Sequence, residues 1–222
     1  MSKILFVMTG SDRLTLADGT PHPTGYWAEE FLAPYRALTG AGHEVVVATP
    51  GGVVPPVDRA SLDPEPVEAE LASIAALKDP ARLEDVRLAD YAAVYYPGGH
   101  GPMEDLAVSR PSAELIRATL AAGKPLAVVC HGVAALLATA DENGAWPFAG
   151  YRLTAFSNVE ERAAGLADKL PWLLEDRLAA LGADFSAGEA WASHVVVDRT
   201  LFSGQNPGSS AELAEKVVAA LR

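Results

Sequence analysis

Short runs of continuous hydrophobic residues recur along the chain and alternate with segments of helical character. The four clearest runs are KILFVMT (3–9), HEVVVAT (43–49), AAVYYPGG (92–99) and PLAVVC (125–130). Because polar and apolar positions do not alternate within them, these runs predict strands that are buried on both faces of a sheet. The segments between and after them predict helices over residues 26–40, 66–78, 109–124 and 132–140.

Alternating strands and helices predict right-handed βαβ units on a parallel sheet, and therefore a three-layer α/β sandwich. The Pro- and Gly-rich stretch 50–66 predicts an irregular loop and not a linker, because the alternation resumes on both sides of it. We therefore expect one domain over residues 1–222. Beyond residue 150 the pattern predicts a strand (151–156), a helix (170–183), a strand, turn and strand within 194–210, and a last helix (211–221).

Composition narrows the classes of partner. The 222 residues are 50% hydrophobic and 21% charged, which suits a compact globular domain. The formal net charge of −12 repels nucleic-acid phosphates and anionic lipid headgroups, so we expect neither nucleic acid nor a membrane as a partner. A single cysteine excludes an internal disulfide, and no apolar run has the length of a signal-peptide core or a membrane span. We expect a cytoplasmic protein.

The single cysteine, Cys130, stands between a predicted strand and the helix predicted after it, in the stretch VVCHGVAALL. Such a junction lies at the carboxyl edge of a parallel sheet, where α/β folds bind ligands. Gly132 permits the close packing of a nucleophile elbow, and the N-terminus of the following helix would favour a thiolate. The alternative is an inert cysteine that packs as a small hydrophobe.

His131 follows Cys130 directly, so its side chain leaves the backbone in another direction and needs an acidic group to orient it. The stretch FSNVEERAAG offers Glu160 and Glu161, although adjacent glutamates on a polar loop are often only solvated. The sequence leaves open which of the two would serve.

Glu30 shares a stripe of the predicted first helix with Tyr26 and Trp27, so we expect it to face inward. A carboxyl group in apolar surroundings has a raised pKa and can share a hydrogen bond with a thiolate or act as a general acid or base. The alternative is an exposed helical glutamate.

The stretch YYPGGHGPMEDL (95–106) ends a predicted strand in Gly98 and Gly99, whose backbone N–H groups can form an oxyanion hole. The following His100 can contact a substrate or bind a metal. The five histidines show no paired metal-ligand spacing, however, so we expect a loop role for His100 and no metal.

These motifs together resemble the ThiJ/PfpI superfamily, which includes the Parkinsonism-associated deglycase and has the class I glutamine amidotransferase-like fold. Within it the chain is most similar to the branch of the heat-shock chaperone and glutathione-independent glyoxalase III. The resemblance implies a flavodoxin-like sandwich with a mainly parallel sheet, a nucleophilic Cys130 beside His131, and Glu30 against the thiol. It places the acidic partner of His131 at Glu161, with Glu160 as the rival, and it implies a homodimer. The matching stretches are HPTGYWAEEF, YYPGGHGPMEDL, VVCHGVAALL, TAFSNVEE, PWLLEDRLAALGA and SGQNPGSS.

The resemblance also implies an activity that needs no cofactor. Cys130 would attack the aldehyde of methylglyoxal, a small 2-oxoaldehyde, and hydrogen transfer through an enediol followed by hydrolysis would give lactate. The same chemistry raises deglycation of protein or nucleotide adducts. Glu104 stands where many relatives have an aromatic residue, which leaves the substrate preference open.

Two other functions remain compatible with the same cysteine. One is a cysteine peptidase or amidase, which requires a histidine placed to take the thiol proton and later to protonate an amine. The other is a stress-related holding chaperone or redox sensor without turnover, in which Cys130 becomes a sulfinic acid.

Overall fold

The computed structural model describes residues 1–62 and 66–222, which form an α/β fold around a seven-stranded sheet. The described strands are β1 (Lys3–Val7), β2 (Arg13–Thr15), β3 (Pro21–Pro23), β4 (Glu44–Thr49), β5 (Ala81–Arg82), β6 (Ala93–Tyr96), β7 (Leu126–Val129), β8 (Arg152–Leu153), β9 (Asp184–Phe185), β10 (Val195–Asp198) and β11 (Leu201–Gly204). The sheet has the order β10-β11-β7-β6-β1-β4-β5. β10 is antiparallel to β11, and the other neighbouring pairs are parallel.

Helices cover both faces of this sheet. The described α-helices are α1 (Ala28–Gly40), α2 (Pro66–Ser73), α3 (Ala75–Lys78), α4 (Gly101–Glu104), α5 (Arg110–Ala121), α6 (Asn158–Ala163), α7 (Leu174–Ala180) and α8 (Ser210–Ala220). α1 is the longest of them, with 13 residues. None of the helices in the described part of the chain has the length and apolar character that crossing a membrane requires.

The continuous hydrophobic runs form the buried strands that their pattern predicts. Along β1, Leu5 and Val7 join a core cluster with residues of α5 and α7, whereas Ile4 and Phe6 join a second cluster with residues of α1 and α8. Each of these four side chains is fully buried, and burial of such a side chain contributes about 1.5–3 kcal/mol. The sheet is therefore the middle layer of a three-layer sandwich, which confirms the predicted fold class.

Three predicted elements differ from the structure, and the first two lie after Cys130. Residues 132–140 do not form an α-helix, because Cys130–Thr139 folds as consecutive 3₁₀ turns. Most of this segment is buried, so packing on all sides, and not one apolar stripe, determines its backbone. The strand predicted at 151–156 pairs only over Arg152–Leu153, and it does so with β9 outside the main sheet. At Thr154 the backbone N–H donates to the Ser203 hydroxyl, 3.0 Å away, and the chain then leaves the strand.

The predicted loop 50–66 contains 3₁₀ turns at Pro50–Gly52 and Arg59–Ser61, and α2 begins at its last residue. Its residues 63–65 lie outside the described residues. The helix predicted over 66–78 is divided into α2 and α3, with an extended residue, Ile74, between them.

Candidate active site

The candidate residues meet at the carboxyl edge of the sheet. β6 and β7 are parallel neighbours, so the segments that follow them emerge side by side. Gly98 and Gly99 come shortly after β6, and Cys130 comes directly after β7. α1 brings Glu30 to the same place, where Glu30 is fully buried. Parallel sheets of this kind bind ligands at this edge.

Cys130 lies at a sharp turn between β7 and the 3₁₀ segment. Its φ angle is +55°, a left-handed conformation that costs a non-glycine residue about 1–3 kcal/mol. Gly132 is required two residues later, because a Cβ there would lie 2.5 Å from the Tyr96 carbonyl oxygen and 2.6 Å from that of Pro97. These features form the nucleophile elbow that the sequence predicts.

Glu30 contacts the elbow from α1. Its Oε2 accepts a hydrogen bond from the Gly98 N–H at 2.7 Å, and its Oε1 is buried with no hydrogen-bond partner among the described residues. Burial raises the pKa of Glu30 to about 8, although the neighbouring Cys130 thiol and the Gly98 N–H act in the opposite direction. The side chain faces inward, as its helical position predicts, and the carboxyl group is neutral at pH 7.

Gly98 packs closely against both Glu30 and Cys130. A Cβ at this position would lie 2.5 Å from Glu30 Oε2, 2.7 Å from the Val129 carbonyl oxygen and 2.8 Å from Cys130 Cβ. Only glycine allows Glu30 and Cys130 to approach from either side of this residue. Because its N–H already donates to Glu30, Gly98 does not offer the free oxyanion-hole donor that the sequence suggests.

The thiol is not the stabilised thiolate that the sequence predicts. Burial, followed by the adjacent Glu30, raises the pKa of Cys130 well above its ordinary value, and the backbone N–H groups of His131 and Gly99 only partly oppose this rise. The thiolate expectation depends on the dipole of a following α-helix, but that segment forms 3₁₀ turns. The resting thiol therefore keeps its proton at neutral pH and needs a base.

His131 supplies an acceptor for that proton. Its Nδ1 lies 3.4 Å from Cys130 Sγ, and its Nε2 lies 2.7 Å from Glu161 Oε2. Although burial acts to raise it, the pKa of Glu161 lies well below its usual range because of His131 and His100. Burial and then His100 lower the pKa of His131, so a neutral imidazole faces an ionised carboxylate. The Nε2–H of His131 donates a hydrogen bond to Glu161, so Nδ1 carries the lone pair, and this lone pair faces the thiol.

His100 shares the same carboxylate. Its Nε2 lies 3.0 Å from Glu161 Oε1, and the His100 and His131 ring centroids are 3.9 Å apart. The donor atoms of His100, His131 and Glu161 all lie within 4.8 Å of one another, a spacing at which the three could together hold a metal ion. The sequence gives no sign of this set, because its members come from three separate segments.

The adjacent glutamates have different partners. Glu160 Oε2 accepts from the N–H of Ser157 at 3.0 Å in a capping box that begins α6. Glu160 Oε1 accepts from Trp191 N–H at 2.8 Å and from Asn206 Nδ2 at 2.7 Å, so it connects three segments of the chain. The geometry therefore selects Glu161 as the hydrogen-bond partner of His131. The Ser-x-x-Glu pattern of a capping box is a sequence signal that could have separated the two.

A cleft of about 1030 Å³ opens beside these residues. Its wall includes His100, whose side chain is 12% exposed, whereas Cys130 is only 4% exposed. Of the candidate site residues, His100 lines the cleft and Cys130 does not. The other residues that line the cleft had no predicted role, among them His22, Thr24, Trp27, Asp58, Arg59 and Lys169. The first three belong to the stretch HPTGYWAEEF, whereas the other three are dispersed along the chain.

Two more aromatic residues outside the sequence prediction flank the histidines. The ring of Phe156 lies 4.6 Å from that of His131, and Trp191 packs edge-on against Phe156 at 5.5 Å. Glu104, the departure noted in the sequence, accepts hydrogen bonds from the backbone N–H and hydroxyl of Thr15. Glu104 thus connects α4 to β2.

Known proteins resemble this chain over most of its length. Residues 23–220 match the DJ-1/PfpI family. Glutamine amidotransferase-like class 1 domain-containing protein 1 of Bos taurus is 37% identical over 196 residues, 87% of each chain. Protein/nucleic acid deglycase HchA of Pseudomonas aeruginosa (strain UCBPP-PA14) is 32% identical over 229 residues, covering 96% of this chain and 78% of the relative.

A solved structure supports the same assignment at the level of the fold. Glyoxalase III from Candida albicans superimposes with a TM-score of 0.86 at 24% identity, over 100% of this chain and 98% of that one. The likeness extends to the mostly parallel sheet that carries the elbow. By its sequence and by its fold, this chain belongs to the DJ-1/PfpI family.

Proposed function

We propose that this protein is a glutathione-independent glyoxalase, which converts a 2-oxoaldehyde such as methylglyoxal to the corresponding 2-hydroxy acid. The observation that carries the proposal is the position of one thiol between two groups that move protons. His131 Nδ1 lies 3.4 Å from Cys130 Sγ and can accept its proton, and the buried carboxyl group of Glu30 is adjacent to the same thiol.

The first step forms a hemithioacetal. His131 accepts the thiol proton, the sulfur of Cys130 bonds to the aldehyde carbon C1, and the carbonyl electron pair moves to oxygen. His131 then passes the proton it took from the thiol to that oxygen, which completes the adduct and leaves the imidazole neutral. The Gly99 N–H donates to the sulfur in the resting protein, and it would turn to the developing negative charge once the sulfur has bonded to C1. Glu161 holds His131 in the tautomer that this step requires.

The second step moves hydrogen from C1 to C2. Glu30 in its ionised form removes the C1 proton and later returns it to C2. In the enediol between these two transfers the C2 oxygen carries a proton, and His131 would supply that proton and take up the one that the C1 hydroxyl loses, so the hydroxyl proton passes from the C1 oxygen to the C2 oxygen. The result is a thioester in which C1 is oxidised and C2 reduced, so no external oxidant enters. A pKa of about 8 lets Glu30 both accept and donate a proton near neutrality. Water then cleaves the thioester, releasing lactate and the thiol.

Deglycation is a second activity that the cleft favours. A volume of about 1030 Å³ is far larger than a three-carbon aldehyde needs, so the cleft has room for a larger adduct. The hemithioacetal that methylglyoxal forms with a free thiol contains the same reacting carbons. The name of the relative from Pseudomonas aeruginosa, protein/nucleic acid deglycase, agrees with this extension.

Steady-state turnover of methylglyoxal without glutathione tests the proposal. We expect the wild-type protein to consume methylglyoxal and to form one lactate for each molecule consumed, measured by chromatography. Casein hydrolysis, followed in parallel, is expected to be absent. Casein cleavage without lactate would instead favour a cysteine peptidase, and loss of methylglyoxal without lactate would indicate only adduct formation.

Exchanging each of the adjacent glutamates for glutamine separates their roles. Glu161→Gln should lower kcat/KM by about 10²–10⁴-fold, because the carboxylate that fixes the tautomer of His131 is lost. Glu160→Gln should lower the free energy of unfolding by about 1–3 kcal/mol through its buried hydrogen bonds and leave kcat within a few-fold. Steady-state kinetics and urea unfolding of both variants measure this contrast. The reverse pattern would place the catalytic role on Glu160.

A further inference from the structure

We propose that His100, His131 and Glu161 form a binding site for a divalent transition-metal ion such as Zn²⁺, and that the bound ion blocks turnover. Metal binding at this site does not depend on the proposed glyoxalase activity. The proposed inhibition does rest on that activity, because the ion would act on His131, the proton acceptor of Cys130 in the glyoxalase reaction.

The three side chains converge in a geometry close to a coordination site. The two Nε2 atoms lie 2.7 Å (His131) and 3.0 Å (His100) from the oxygens of Glu161, and the donor atoms all lie within 4.8 Å of one another. Zinc binds imidazole nitrogen and carboxylate oxygen at about 2.0–2.2 Å, so neighbouring ligand atoms around a tetrahedral ion are about 3.3 Å apart. Small rotations of these side chains would accommodate an ion.

The chemistry of the three groups suits a transition metal. Two imidazoles and one carboxylate favour zinc, cobalt or nickel, whereas calcium and magnesium prefer sites made entirely of oxygen. Metal ligands must be neutral imidazoles and ionised carboxylates. The Nε2 atoms of both histidines already lie within hydrogen-bond distance of Glu161, so two imidazole nitrogens and one carboxylate converge on the same place.

An ion can reach the site from solvent. His100 is partly exposed and lines the cleft, whereas His131 and Glu161 lie buried behind it. Coordination positions that the protein leaves open would face the cleft and hold water. Cys130 is not a ligand in this arrangement, because its sulfur lies 3.4 Å from Nδ1, the opposite ring nitrogen of His131.

Binding at Nε2 would change the tautomer of His131. A metal there requires the Nε2 lone pair, so the ring proton must move to Nδ1, which faces Cys130. Nδ1 then donates a hydrogen bond to the sulfur and can no longer accept the thiol proton. The same ion also withdraws Glu161 from its hydrogen bond with His131. The metal-bound protein should therefore be inactive, and chelation should restore it.

Binding is tested by titrating the metal-free protein with Zn²⁺ against a chromophoric chelator. We expect one ion per chain, and Cys130→Ala should bind it within about threefold of the wild-type affinity. Glu161→Gln and His100→Gln should each weaken binding by about 10–100-fold. Circular dichroism of each variant verifies folding. Absence of stoichiometric binding would overturn the proposal, as would a loss in Cys130→Ala equal to that in His100→Gln, which would indicate a thiol site.

Cobalt substitution and kinetics complete the test. The Co²⁺ complex should show visible bands that indicate nitrogen and oxygen ligands, without a sulfur-to-metal charge-transfer band, and a strong sulfur band would overturn the assignment. Stoichiometric Zn²⁺ should reduce methylglyoxal turnover at least about tenfold, with recovery after EDTA. Binding without any loss of turnover would overturn the inhibition. If the metal-free protein has no turnover, the proposed function fails while the binding titration still decides the metal site.

Discussion

The Cys130→Ala variant is expected to lose the conversion of methylglyoxal to lactate by at least about a thousandfold. The proposed reaction passes through a covalent bond to the sulfur, and the chain contains no second cysteine that could replace it. Cys130→Ser should also be strongly impaired, because a hydroxyl group is harder to deprotonate than a thiol and His131 is only a weak base here. Lactate formation and methylglyoxal consumption, measured at matched protein concentrations, give the result.

Thermal unfolding of the same variants supplies the control, because Cys130→Ala keeps the backbone turn and should remain folded. Retained lactate formation in a folded Cys130→Ala would remove the sulfur from the mechanism. The redox alternative is tested on the same samples by mass spectrometry after mild peroxide treatment. A wild-type protein that forms a sulfinic acid at Cys130 but never makes lactate would be a redox sensor and not an enzyme.

The fold was predictable from the chain because its strands are continuous hydrophobic runs. The runs at 3–9, 43–49, 92–99 and 125–130 all became central parallel strands, since burial on both faces requires apolar side chains at successive positions. The segment 132–140 was predicted wrongly for a related reason. A segment buried on nearly all sides has no single apolar stripe, so its sequence does not distinguish an α-helix from 3₁₀ turns.

Only those parts of the candidate site that depend on local sequence patterns could be predicted. The phase of α1 indicated an inward Glu30, and the strand junction indicated the elbow at Cys130. The predicted thiolate differs from the structure, because it depends on the dipole of a following α-helix, whereas burial and the adjacent carboxyl group raise the pKa of the thiol. The sharing of Glu161 by His100 and His131 depends on three segments meeting in space. No local spacing in the sequence carries that information.

The Glu30→Gln variant is expected to lose turnover and gain stability at the same time. Turnover should fall by about 10²–10⁴-fold, because glutamine cannot carry the proton between C1 and C2. Stability should change with pH, because the pKa of Glu30 is raised from 4.5 to about 8 in the folded state. Because the pKa is higher in the folded state, ionisation of Glu30 lowers the free energy of unfolding. This loss is absent below pH 4.5, grows between pH 4.5 and pH 8, and is constant above pH 8. Urea unfolding at pH 4, 6 and 8.5 measures the difference between variant and wild type.

The difference should be near zero at pH 4 and should reach up to about 5 kcal/mol in favour of the variant at pH 8.5, the equivalent of the shift in pKa. Glutamine can accept the Gly98 hydrogen bond as the protonated carboxyl group does, so the fold should be preserved.

Glu29→Gln is the matched control, because Glu29 is the exposed neighbour on the same helix, and neither turnover nor the pH dependence should change. If the free energies of unfolding of Glu30→Gln and the wild type change with pH in parallel, ionisation of Glu30 does not destabilise the fold. A buried carboxyl group that destabilises the fold at working pH is expected at a site selected for chemistry, because the same burial brings its pKa near neutrality, where it can accept a proton and return it.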